Sequence, residues 1–116
     1  MVQVLLKYCD DGILQSCSAQ GHAGHASKGF DIVCAAISSL LRTSVAVLEN
    51  RKSCVLEIKS SDRGQLAFSV TNYSSSDIEL LKYSFQFLQF GLLQIEKEYP
   101  ECVELRVQNC NKFAEA

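Results

Sequence analysis

The chain has 116 residues, 47% of them apolar and 21% charged, with eleven Lys and Arg against thirteen Asp and Glu for a net charge of −2. That length predicts a single domain over residues 1–116, large enough to bury a core without metal or disulfide staples. The composition excludes a disordered or fibrous chain, and the acidic balance weighs against a domain that works on nucleic acid, where a basic surplus is the rule.

The stretch Met1-Val2-Gln3-Val4-Leu5-Leu6-Lys7 has neither a basic region nor a cleavable apolar segment. No apolar run approaches the ~20 residues a bilayer span requires. The expectation is a reducing, cytoplasmic setting with no membrane partner. In that setting the six cysteines, Cys9, Cys17, Cys34, Cys54, Cys102 and Cys110, stay as thiols and mostly serve as small apolar core groups. No Cys-x-x-Cys pair occurs, which leaves a zinc ribbon or a thioredoxin-like site without support.

In chain order, Val2 to Tyr8 is apolar and β-prone, Asp10-Asp11-Gly12 is a turn, and Ile13 to Ala19 is the second arm of a hairpin. Residues 20 to 31 carry three glycines and read as a loop. A helix follows from Ile32 to about Asn50. Val33, Ile37, Leu41 and Leu48 line its core face, Leu40 and Val45 flank them, and Asp31 is the candidate N-cap. Cys54, Leu56 and Ile58 alternate with Val55, Glu57 and Lys59 in a third strand. Ser61-Asp62-Arg63-Gly64 turns the chain into a fourth strand with Leu66, Phe68 and Val70 inward. Ser76 or Asp77 caps a long helix to about Glu98, Pro100 ends it, and Val103, Leu105 and Val107 mark a last strand. The order ββαββαβ predicts an α+β fold: a mainly antiparallel five-stranded sheet with two long helices.

The second helix carries two apolar stripes. Leu81, Phe85, Leu88, Leu92 and Ile95 form one; Leu80, Tyr83, Phe87 and Phe90 form the other. A surface helix of a small monomer buries one stripe. The second stripe implies either a deeply buried helix or a homodimer interface.

The segment that carries chemistry runs Gly21-His22-Ala23-Gly24-His25-Ala26-Ser27-Lys28-Gly29-Phe30-Asp31-Ile32-Val33-Cys34-Ala35-Ala36-Ile37-Ser38. If Asp31 caps the helix, Cys34 sits in its first turn. Unpaired N–H groups and the positive end of the dipole there favour the thiolate, and the same N–H groups could hold an oxyanion. His22, twelve residues upstream on a glycine-rich loop, can fold back to the sulfur as a base. The competing readings are a buried apolar cysteine with an idle loop histidine, and a zinc site from His22, His25 and Cys34, for which no fourth ligand is evident.

This stretch resembles the signature of the bacterial ribosomal-processing cysteine protease family, Prp. The match covers Gly21 to Ser38 closely, while the rest of the chain agrees in length and element order. The resemblance implies a cytoplasmic, dimeric cysteine endopeptidase that needs no cofactor or metal. It would remove the N-terminal extension of a large-subunit ribosomal protein precursor, cleaving after an aromatic residue. His22 would correspond to the general base and Cys34 to the nucleophile. Asp31 and Ser38 match positions around the site, and Gly21 and Gly29 match turn positions. Asp31 either caps the helix, the preferred reading, or orients His22; a free carboxylate near Cys34 would work against thiolate formation. Ser38 either hydrogen-bonds near the sulfur or back-bonds to the Cys34 carbonyl. His25 is idle or contacts substrate, and Phe30 anchors the loop or lines an apolar subsite. The loop from Ala23 to Phe30 is expected to be a mobile lid. Two other functions fit the residues: a non-catalytic ribosome-associated adaptor, and a Cys–His hydrolase or acyl transferase acting on a small thioester.

Overall fold

The computed structural model describes residues 1–21, 28–61 and 65–110. Strands β1 (Val2–Cys9) and β2 (Ile13–Gln20) form the expected hairpin, followed by helix α1 (Lys28–Glu49), strands β3 (Val55–Ser61) and β4 (Gln65–Asn72), helix α2 (Ile78–Glu98) and strand β5 (Val103–Asn109). The β-turn needs left-handed backbone at Asp10, with φ 54°, and at Gly12, with φ 110°; the Asp-Gly chemistry of the turn supplies both.

The sheet order is β3-β4-β2-β1-β5. All pairings are antiparallel except β1 with β5, which run parallel. Both helices pack on one face of the sheet. Val4, Leu6, Cys17, Phe68 and Val103 meet Val33, Ile37, Leu41, Leu81, Leu88 and Leu92 in one buried core. A bulge in the hairpin explains why the simple alternation of β2 fails. Lys7 pairs with Ser16 and Tyr8 with Leu14, so Gln15 is the extra residue and the core-facing parity switches between Leu14 and Cys17.

Helix α1 begins at Lys28, four residues before the expected Ile32. Asp31 therefore lies inside the first turn and is not the N-cap, and Cys34 is in the second turn rather than the first. Lys28 to Phe30 belong to the helix and not to the loop. The glycine at position 29 weighed against helix in the sequence, but a helix end tolerates it far better than an interior.

The window Ile32–Glu49 of α1 has a mean hydropathy of 1.7, enough by length and composition to cross a membrane, which corrects the expectation that no segment is that apolar. In the fold its apolar face is the inner face of a helix packed on the sheet, with Val33, Ile37, Leu41 and Leu48 fully or almost fully buried.

The expectation that disulfides are absent is overturned as well. Cys9 and Cys110 are bonded, with their Cα atoms 4.9 Å apart. The cause is register: β1 pairs with β5 up to Tyr8 opposite Asn109, so the next residue on each strand is a cysteine facing a cysteine. That adjacency depends on a parallel contact between the first and last strands, which no local pattern announces.

Candidate functional site

The end of β2 and the N-terminal half of α1 come together around a cleft of about 190 Å³. Its floor is apolar: Val2 from β1, Ala19 from β2, Leu66 from β4 and Ile37 from α1. One wall is a face of α1 on which Cys34, Ser38 and Arg42 follow one another at intervals of four residues, one helical turn apart. Gly21 closes one side, and Gln65 at the start of β4 adds a polar group to the rim.

Cys34 is half-buried, packed against the core and open to this cleft. Two other thiols differ in kind. Cys17 is fully buried, and desolvation pushes its thiol up to about 12. The Cys54 thiol is also raised, first by burial and then by the Asp77 carboxylate. Both are protonated apolar fillers, as expected of core cysteines.

Gly21 is the last described residue before His22, and its backbone is packed against the chain start. A β-carbon there would lie 2.6 Å from the Met1 carbonyl oxygen and 2.7 Å from the Val2 Cα. Only glycine fits that approach, which fixes where the chain leaves the sheet toward position 22.

Several predicted site residues lie outside this description. His22, His25 and the loop from Ala23 to Ser27 are not among the described residues, nor are the side chains of Phe30 and Asp31. The expected lid, the zinc alternative and the His22–Cys34 approach lie outside the described residues. Among the described residues, no cluster of His, Cys, Asp or Glu could hold a metal ion. Two groups escaped the sequence reading: Arg42 and Gln65. Arg42 stands eight residues after Cys34 on the same helix face, four residues past the end of the motif, so only the helical spacing pointed to it. Gln65 had no local signal, because its place in the cleft depends on β4 pairing with β2.

A family model described as cysteine protease Prp matches residues 1–104. A ribosomal processing cysteine protease Prp from Staphylococcus aureus is 30% identical over 105 residues, covering 90% of this chain and 97% of that protein. A crystal structure of SMU.848 from Streptococcus mutans superposes with a TM-score of 0.76 at 30% identity, covering 94% of this chain and 95% of that one. An essential ribosomal processing protease Prp from S. aureus, solved in complex with a substrate peptide, superposes with a TM-score of 0.75 at 27% identity, covering 92% and 99%.

Proposed function

This chain belongs to the cysteine protease Prp family and is a cysteine-type peptidase, and on that premise we propose that it removes the N-terminal extension of a large-subunit ribosomal protein precursor. The observation that carries the mechanism is the half-buried Cys34 thiol opening on a cleft beside Gly21, one residue before His22.

His22 takes the thiol proton, and the Cys34 thiolate attacks the scissile carbonyl carbon. The tetrahedral intermediate collapses, and imidazolium gives its proton to the leaving amine. Water then attacks the thioester with His22 again as base, releasing the acid and restoring the thiol. Cys34 stands one turn past the unpaired N–H groups of the α1 start, so the helix end does less for the thiolate than a first-turn cysteine would gain. The imidazole carries more of the activation. Asp31 orients His22 in this reading, which the start of α1 at Lys28 supports over a cap at position 31. Its charge, neutralised by imidazolium, then no longer opposes the thiolate. Ser38 lies on the same wall, where its hydroxyl serves the acyl group or the sulfur. Phe30 and His25 are substrate-side residues.

The protein works in the cytoplasm as a homodimer, without a cofactor and without binding nucleic acid or membrane itself. Support for the dimer comes from α2, whose second stripe leaves Tyr83, Phe87 and Phe90 67%, 43% and 60% exposed in the single chain.

The test mixes purified protein with the extended precursor and reads product masses. Cleavage after an aromatic residue is expected, absent in Cys34→Ala and His22→Ala and retained in His25→Ala. Full activity in Cys34→Ala overturns the mechanism, and an intact precursor with the wild type overturns the substrate.

A further inference from the structure

Among the described residues lining the cleft, Arg42 is the charged one. The other charge pairs are elsewhere: Arg51 with Asp77 and Lys82 with Asp11. Among the described residues the Arg42 guanidinium has no ion pair and no hydrogen bond. Gln65, which also lines the cleft, adds an amide that can donate to the same group.

We propose that Arg42, assisted by Gln65, forms a specificity subsite that selects an acidic side chain in the peptide substrate. The proposal rests on the peptidase reading above. The geometry sets the distance. Eight helical residues separate the Cα atoms of Cys34 and Arg42 by about 12 Å. Long helix side chains lean toward the helix N-terminus, which brings the guanidinium back toward the sulfur. An extended peptide advances about 3.3 Å per residue. A peptide lying along this wall with its reacting carbonyl at Cys34 therefore places its second to fourth residue from the scissile bond, roughly, beside Arg42. Between those points the apolar floor of Val2, Ile37 and Leu66 takes the uncharged part of the segment. A carboxylate matches the planar fork of a guanidinium, and an amide of the same shape does not carry the charge.

The experiment is a set of peptides sharing one aromatic residue before the scissile bond, with Glu, Gln or Lys placed in turn at the second, third and fourth positions on either side. For the wild type, kcat/KM for Glu should exceed that for Gln by about five- to tenfold at one of these positions, as expected of a partly exposed charge-assisted pair. The Glu-to-Gln ratio should fall to about one in Arg42→Ala, persist in part in Arg42→Lys, and invert in favour of Lys in Arg42→Glu. It should also shrink as salt rises. Arg42 is exposed, so these variants should fold, which circular dichroism checks. A wild type that cleaves the peptides with a Glu-to-Gln ratio near one everywhere overturns the subsite and leaves the peptidase reading standing. So does an Arg42→Ala protein that loses Glu and Gln peptides equally, since Arg42 would then hold peptide backbone. A wild type that cleaves none of the peptides, with a Cys34→Ala protein that binds none by fluorescence anisotropy, overturns both.

Discussion

At position 21 a single hydrogen in place of a side chain decides whether the sheet can lead into the site. An added β-carbon would meet backbone atoms of Met1 and Val2 rather than a flexible side chain, so the neighbours have little room to give. Gly21→Ala should cost about 1–3 kcal/mol, seen as a lower urea midpoint, and should depress turnover more than Ala substitution at the open turn position Gly12. Gly12 has no neighbour within 4 Å of such a carbon, and its positive φ is the only penalty there. The thiols give a second test at this scale. Mild iodoacetamide should label Cys34 first, and Cys17 only on unfolding, because a thiol held near 12 offers almost no thiolate at neutral pH. Peptide mapping after a short pulse checks the order; Cys17 labelled alongside Cys34 in the folded protein would contradict it.

At the scale of elements, the start of α2 rests on one buried carboxylate. A single 3-10 turn at Ser75–Asp77 precedes the helix. Asp77 accepts from the Ser74 backbone N–H at 3.0 Å and from the Ser53 hydroxyl at 2.7 Å, and pairs with Arg51 at 3.4 Å. The Ser74 N–H first, and the Ser53 hydroxyl next, hold its pKa below the ordinary value of 3.8. A folded pKa below the unfolded one gives stability that is fully present above about pH 3.8 and is lost as pH falls through the lower folded value. The stability gap between wild type and Asp77→Asn should therefore be constant from pH 7 to 5 and close at lower pH, as urea titrations would show. Much of this element was legible in the sequence: Asp77 as a cap candidate, the Leu81 to Leu92 stripe, and Pro100 after the end. What was not legible is that the carboxylate reaches backward to Ser74 and across to Ser53, because the second contact spans the α1–β3 connection. The same limit applied to α1. Its core face was plain from Val33 to Leu48, but its start was misplaced by four residues, since glycine-rich sequence hides a helix end whose register is fixed by packing. Edge strand β5 shows another such contact: Glu96 of α2 accepts the Leu105 backbone N–H at 2.8 Å, occupying a donor that an unprotected edge would offer to another chain.

For the whole molecule, the question is what covers the outer stripe of α2. Phe87→Glu or Phe90→Glu puts a charge on a surface that is exposed in the single chain, so the variant should keep its melting temperature within a few degrees while sedimenting as a monomer. Wild-type protein sedimenting as a monomer at micromolar concentration would remove the dimer. The two-stripe pattern was readable from sequence; which stripe faces inward became decidable only once the sheet supplied one apolar face and no more. The bond between Cys9 and Cys110 has a different reach. With a sequence separation of 101, it turns nearly the whole polypeptide into a closed ring, and its removal by reductant should cost about 2–5 kcal/mol. A ring also changes how the protein can be taken apart. An energy-driven unfolding machine that draws in a linear chain one residue at a time must, on reaching either cysteine, pass two strands through its pore together. Oxidised protein should stall there, leaving a protected fragment, and reduced protein should be consumed to the end. The molecule's lifetime would then be set by the thiol chemistry of its surroundings as much as by its folding free energy.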